Sequence, residues 1–338
     1  MMKRPYFSAA LASAIGATAL CGLPASSSAK VMEVVTFAVP PAGTSGYILT
    51  NAYAKTLREK TPIKKIVLQT FGGAAGWPAR MQTGEVNFAS HCGFKQIEEA
   101  YLGEGAFKKF GRQKDIRIMA SGHGFAYGMW VTDPSVKTFK DLKGKRLFVL
   151  MTHRDQATAI IEAAKYVGLD YRKDMNILSV RSPREALQGL RTGRAIAFYY
   201  GMIPPLAEIK QSKGLHALNM SDGMIAAVRK AEPVWGKVTV KAGRPPLKLD
   251  KDFQTLKIAC GVAAGAKTDP ETVYTVTKGI FENVKDWNSA HPLARQWNVK
   301  SATAVMSAPY HEGAIRYFKE KGVWSAKNEA DNKAWLAK

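Results

Sequence analysis

Residues 152–156, Thr-His-Arg-Asp-Gln, hold the best charged candidates for chemistry in this chain. Arg154 can grip a carboxylate through two parallel hydrogen bonds. Asp155 can cap the helix that follows or meet an amino group. The two could also pair with each other in solvent, where such contacts contribute little. Phe-Tyr-Tyr-Gly at 198–201 offers the rings and hydroxyls of Tyr199 and Tyr200 as cleft walls, with core packing as the competing account. Tyr127, in a long apolar segment, is a further candidate of this kind.

Two turns of small residues add backbone chemistry. Gly43-Thr44-Ser45-Gly46-Tyr47 precedes an amphipathic stretch. It is neither a Walker A loop, since no Gly-Lys-Ser/Thr follows, nor Gly-x-Gly-x-x-Gly. The Thr44 and Ser45 hydroxyls with the N–H groups of 45–47 could cradle a carboxylate; alternatively, Ser45 simply caps the helix. In Phe-Gly-Gly-Ala-Ala-Gly (71–76), Gly72, Gly73 and Ala74 would let a ligand approach the main chain, or let a helix pack closely on a strand.

Catalytic patterns are absent. Ser45 lacks the Gly-x-Ser-x-Gly spacing, and the six histidines form no His-Glu-x-x-His. His91, His123 and His153 stand out only because each falls at a predicted strand end. Cys92 beside His91 is the one inexpensive nucleophile–base pair, and neighbours on a strand point to opposite faces. No metal site and no cofactor is expected.

The 338 residues suggest two domains, and 46% hydrophobic with 22% charged residues is ordinary globular composition. Lys and Arg number 49 against 27 Asp and Glu, a formal +22. The basic residues are scattered among acidic ones without a nucleic-acid-binding motif, so nucleic acid is not an expected partner. Residues 1–29 combine Lys3 and Arg4, a small apolar stretch and Ser-Ser-Ala, which fits a signal peptide cleaved after Ala29. Its removal leaves +20, Cys92 and Cys260, and a monomeric protein in the periplasm.

The chain then repeats one unit: apolar run, small-residue turn, amphipathic helix. Strands are predicted at 34–39, 66–70, 86–89, 146–151 and 195–198. Helices follow at about 48–57, up to about 84, and at 94–101, 156–167 and 206–211. This alternation implies an α/β fold with parallel sheets. Residues 116–132 read as a long strand crossing between two lobes, and 256–265 as a buried strand. Helices are expected at about 270–287 and 312–321. Lobe I would comprise 30–122 and about 240–310, lobe II 123–239, with 311–338 a terminal helix and tail. In such folds ligands bind beyond the carboxyl ends of strands, against helix N-termini. A hinge is expected at 122–128, eased by Gly122, Gly124 and Gly128, with a return near 230–245.

Over nearly its whole length the chain resembles the TAXI-type solute receptors of tripartite ATP-independent periplasmic (TRAP) transporters. The stretches that carry the resemblance are GTSGYILTNAYAKTL, GGAAGWPARMQTGEVNFA, VKTFKDLKGKRLFV and PYHEGAIRYFKEKGVW, helped by AFYYGMIPPLAEIK. It implies a two-lobed periplasmic binding protein, type II-like, that takes a small organic acid or amino acid into an interlobe cleft and hands it to membrane subunits. The matching ligand positions are 43–47, 72–74 and the strand ends near His91, Thr152 and Tyr199. Two departures stand out: Thr152-His153-Arg154-Asp155 replaces a Gly/Ser-rich loop, and Pro40-Pro41 opens the first turn. Arg154 and His153 there favour a strongly anionic solute such as a dicarboxylate or aromatic acid. The alternatives are an exported two-lobed enzyme and a sensor without transport.

Overall fold

Apolar runs become strands and small-residue turns become helix starts in the computed structural model, which describes Met2 and residues 30–338 apart from 72–75, 152 and 181, with His91 and Cys92 in backbone only. The elements run β1 (Val34–Val39), α1 (Ser45–Lys60), β2 (Lys65–Thr70), α2 (Gly76–Gln82), β3 (Phe88–Gly93), α3 (Phe94–Leu102), β4 (Ile116–Val131) and β5 (Arg146–Val149). There follow α4 (Arg154–Tyr166), β6 (Asn176–Ser179), α5 (Pro183–Arg191), β7 (Ala197–Gly201), α6 (Pro205–Lys213), β8 (His216–Ala217), α7 (Asp222–Ala231) and β9 (Trp235–Val240). The chain closes with β10 (Phe253–Gly265), α8 (Pro270–Glu282), α9 (Val284–Trp287), α10 (Glu312–Glu320) and α11 (Ala326–Leu336). The proposed signal segment, 1–29, lies outside the described residues save Met2. Among the described residues no helix is long and apolar enough to cross a membrane.

One sheet runs β2-β1-β3-β10-β4-β7-β5-β6, with β8 on β4 and β9 on β10. β1, β2 and β3 are mutually parallel, as are β5, β6 and β7. Between these groups the β3–β10, β10–β4 and β4–β7 pairings are all antiparallel. Three reversals make the two parallel groups run in opposite senses. The long β4 has β10, and beyond it the β1–β3 group, alongside its first half, and β7 of the other group beside its second.

Alternation along strands sends side chains to two covered faces. Leu147 and Val149 of β5 join the large core that includes Ile160 of α4. Phe148 and Leu150 enter a separate cluster with Leu190 of α5 and Leu206 of α6. A strand covered on both sides reads as a continuous apolar run, which is how this one appears in the sequence.

The crossing differs in detail from expectation. The return runs along β10, which pairs with β4 from Leu256↔Tyr127 to Gly265↔Ile116, rather than through 230–245. Its register slips between Cys260 and Gly261 and again between Val262 and Ala263, bulges that bend the strand. Gly122 is there for space, not dihedral freedom: a Cβ would lie 2.2 Å from the Trp297 ring. Trp297 Nε1 donates to His123 Nδ1 at 3.1 Å, and Gln296 clasps both the N–H and C=O of Gly124 at 3.0 and 3.3 Å. The expected helix over 270–287 is interrupted at Asn283, which has φ −113° and ψ 25°.

Candidate functional site

The register fixes where the strands stop. Gly93, the last residue of β3, pairs with Cys260, which pairs with His123 of β4. Gly201, the last residue of β7, pairs with Tyr127. The carboxyl ends of the two parallel groups therefore face one another across residues 123–127, about 13 Å at roughly 3.3 Å per residue. α3, α4 and α6 begin at those ends, and none has a side-chain cap hydrogen bond. Their electropositive N-termini thus lie at the two sides of this interval, the candidate gap.

The α1 turn is more self-contained. Thr44, not Ser45, is the cap: its hydroxyl accepts from Tyr47 N–H at 3.3 Å and donates to Pro41 C=O at 2.7 Å. Ser45 is the first helical residue, because Thr44 keeps the extended backbone (φ −79°, ψ 155°) that a cap requires. Gly43 is exposed with φ +83°, a turn conformation that favours glycine. Tyr47 packs half-buried on the core. Within β3, Ser90 shares its buried hydroxyl with Thr50 at 2.6 Å and Tyr53 at 2.5 Å. Gly72, Gly73, Ala74 and Thr152 lie outside the described residues, as does the side chain of His91.

On the other side stands an aromatic wall. Tyr127 lies 5.8 Å from Tyr199, 5.7 Å from Tyr200 and 5.0 Å edge-on from Trp235, centroid to centroid. Asp155, in the first turn of α4, is buried beside this wall, and Trp235 Nε1 donates to its main-chain carbonyl at 3.2 Å. Burial pushes the Asp155 carboxyl above its ordinary range, against a backbone hydrogen bond from Gln156 that favours the charge. Burial likewise raises the phenols of Tyr127 and Tyr199 well above normal and that of Tyr200 to a lesser degree, with the Asp155 charge adding in each case. The free thiol of Cys260 is buried and pushed up to about 12, which makes it a poor nucleophile.

The profile of the NMT1-like family matches residues 37–322. The chain belongs to the NMT1-like family. The same fold occurs in the periplasmic sulfonate-binding protein SsuA of Methylobacillus flagellatus, at a TM-score of 0.51 and 17% identity over 79% of this chain and 73% of that one. It also occurs in the periplasmic aliphatic sulphonate binding protein SsuA of Escherichia coli, at a TM-score of 0.51 and 15% identity over 90% and 83%. At these identities the likeness concerns the fold: a mixed α/β architecture with flanking helices, shared with periplasmic solute-binding proteins.

Within this NMT1-like fold the charged loop does not behave as its sequence suggests. Arg154 turns outward: its guanidinium is exposed and 3.1 Å from Glu104 in the loop after α3. It does not pair with Asp155, because position 155 faces the buried side of α4 and position 154 the solvent side. His153 is exposed at the helix cap. The inward charge is therefore a carboxylate, the reverse of what Arg154 leads one to expect.

Sequence reasoning missed Lys95, Glu99, Gln156, Glu232 and Trp235. Lys95 of α3 is buried and bridges Glu98 at 3.4 Å and Glu232 at 3.2 Å. Burial raises the Glu99 carboxyl, although Lys95 and Arg154 oppose the shift. A charge on the buried face of a helix, among Phe94, Ile97 and Ala100, is the signal that Lys95 offered. Its partner lies 137 positions away in Glu232, where no local pattern reaches. Among the described residues no group of three or more His, Cys, Asp or Glu could hold a metal ion.

Proposed function

We propose that this chain is an extracytoplasmic solute receptor that takes a small organic acid or amino acid into the gap and delivers it to a membrane transporter. The observation that carries the reading is the convergence of oppositely directed strand ends on residues 123–127. In open α/β sheets such ends are where ligands bind. One lobe would hold β1–β3 with the 116–123 half of β4 and the 260–265 half of β10. The other would hold β5–β9 with the remaining halves. The uncapped starts of α3 and α6 suit the acid group, and the tyrosine wall suits an organic body. The resemblance to TAXI receptors supports a TRAP-type transporter as the recipient, and residues 1–29 support export. A receptor of this kind needs no nucleophile, which agrees with a buried, high-pKa Cys260.

A thermal-shift screen of carboxylates, amino acids and sulfonates on the chain from Lys30 tests this. A true solute at 100 times its Kd adds about 2.7 kcal/mol of stability. Small-angle scattering should show a smaller radius of gyration with the hit bound. Turnover of the hit, or failure of every class to bind, overturns the reading. Growth of a knockout on that solute, with and without neighbouring TRAP genes, tests delivery.

A further inference from the structure

Few buried side-chain atoms among the described residues lack a hydrogen-bond partner, and three belong to this one region: Glu99 Oε1, Gln156 Oε1 and Tyr199 Oη. Their residues are 9%, 2% and 1% exposed. Native structures seldom leave such atoms alone, because each has lost water and gained nothing in return. Gln156 follows Asp155 in the first turn of α4. Tyr199 pairs with Val149, the last residue of the strand that leads into that helix. Glu99 comes from α3 on the facing side, one turn beyond Lys95, with its carboxyl lying against Gly105, next to the Glu104 that Arg154 of α4 reaches.

The inventory is one-sided. A carboxylate oxygen and an amide oxygen only accept, and a phenol can do either. Asp155 adds a buried carboxylate that forms no ion pair within 4 Å among the described residues. Two cations of the neighbouring helices are already committed, Arg154 to Glu104 and Lys95 to Glu98 and Glu232, while the charges of His153 and Lys95 act on Asp155 without an ion pair to it among the described residues. Tyr127 and Trp235, packed edge to face, make the surroundings of this carboxylate aromatic, and Trp235 is tied to Asp155 through its main-chain carbonyl.

Resting on the receptor reading, we propose that the solute presents a cationic nitrogen, an ammonium or guanidinium, to α4, with Asp155 as its counter-ion and Gln156, Tyr199 and Glu99 as acceptors. The uncapped starts of α3 and α6 remain for an acid group at the other end. A dicarboxylate without nitrogen would set its charge against Asp155 and leave the orphaned oxygens unserved.

Matched pairs that differ only at the nitrogen decide it: L-glutamate against 2-oxoglutarate, L-alanine against lactate, taurine against isethionate. Calorimetry on the chain from Lys30 should find the amine of the best pair at least about tenfold tighter, and Asp155→Asn should abolish that advantage. Tyr199→Phe, which deletes one oxygen and keeps the ring, should weaken the amine several-fold; this variant and the wild-type ratio decide the matter if Asp155→Asn does not fold. Tighter binding of the nitrogen-free partner, or an Asp155→Asn protein that holds the amine as well as wild type, overturns the inference and leaves the receptor reading standing. Silence of every pair overturns both.

Discussion

Lys95 Nζ sits 3.2 Å from a carboxylate oxygen of Glu232, with both side chains nearly out of water. One belongs to α3, beside the first strand group, and the other follows α7, beside the second. The pair therefore spans the gap. Arg154 and Glu104 span it again at the exposed rim.

Removing one partner of a buried pair strands the other charge, typically at roughly 3–5 kcal/mol. Lys95→Met should lower the urea midpoint by an amount in that range, and Lys95→Met with Glu232→Leu should recover most of it. A Lys95→Met protein as stable as wild type would mean that water reaches Glu232 and that the two halves stand apart in solution.

Asp155→Asn should move stability the other way. At neutral pH the native state carries a desolvated carboxylate whose folded pKa is raised, so the unfolded chain is favoured. Neutral asparagine of nearly the same shape removes that penalty. The variant is expected to melt higher than wild type at pH 7 while losing solute affinity, a trade familiar at functional sites. An unchanged or lower melting point contradicts the assigned burial.

His311 gives a pH dependence with a definite sign. It is 2% exposed, caps α10 by accepting from Gly313 N–H at 3.2 Å, and is lowered by burial from 6.5 to about 4. Below pH 6.5 the unfolded chain takes up a proton that the native state refuses. Stability is therefore whole above 6.5 and lost as pH falls toward 4, by about 3 kcal/mol from this group. Denaturant titrations at several pH values should show that slope, flattened in His311→Asn.

Gly122→Ala and Gly93→Ala separate packing from function. A Cβ at Gly122 meets Trp297 at 2.2 Å, so the substitution should cost about 1–3 kcal/mol and disturb tryptophan fluorescence. At Gly93 nothing lies within 4 Å and the backbone is extended, with φ −67°. Alanine there should leave stability within about 0.5 kcal/mol. Because Gly93 stands at the start of α3, the same methyl should weaken solute binding.

Thr44→Ala should cost about 1 kcal/mol through loss of the α1 cap, and Thr44→Ser should restore most of it. Solute affinity should change little, since the hydroxyl is already engaged by Tyr47 and Pro41. A large loss of affinity would return this hydroxyl to the solute.

Strand–helix alternation and the crossing strand were legible because apolar runs and small-residue turns are local signals. Tyr199, Tyr200 and Asp155 could be picked for the same reason, since they stand at or near strand ends; Tyr127 lies inside β4, and only its pairing with Gly201 brings it level with the end of β7. What stayed hidden depends on distant partners. Asp155 and Arg154 are neighbours, and only the packing of α4 decides which faces inward. α11 was missed because its apolar residues follow no helical stripe: Asn332 is its one buried residue, accepting from Tyr310 N–H at 2.7 Å. β6, β8 and β9 are short or edge strands with weak alternation.

The clasp of Gln296 and the wedge of Trp297 grip β4 at 122–124, and both slips of β10 lie level with or before that point. Beyond it, from Tyr127 to Val131, the ladder is regular. The fulcrum is thus bolted to one jaw. If the receptor of the proposed function rocks about this strand, the tyrosine wall and Asp155 would swing together, against an α3 that stays put like the fixed jaw of a vice.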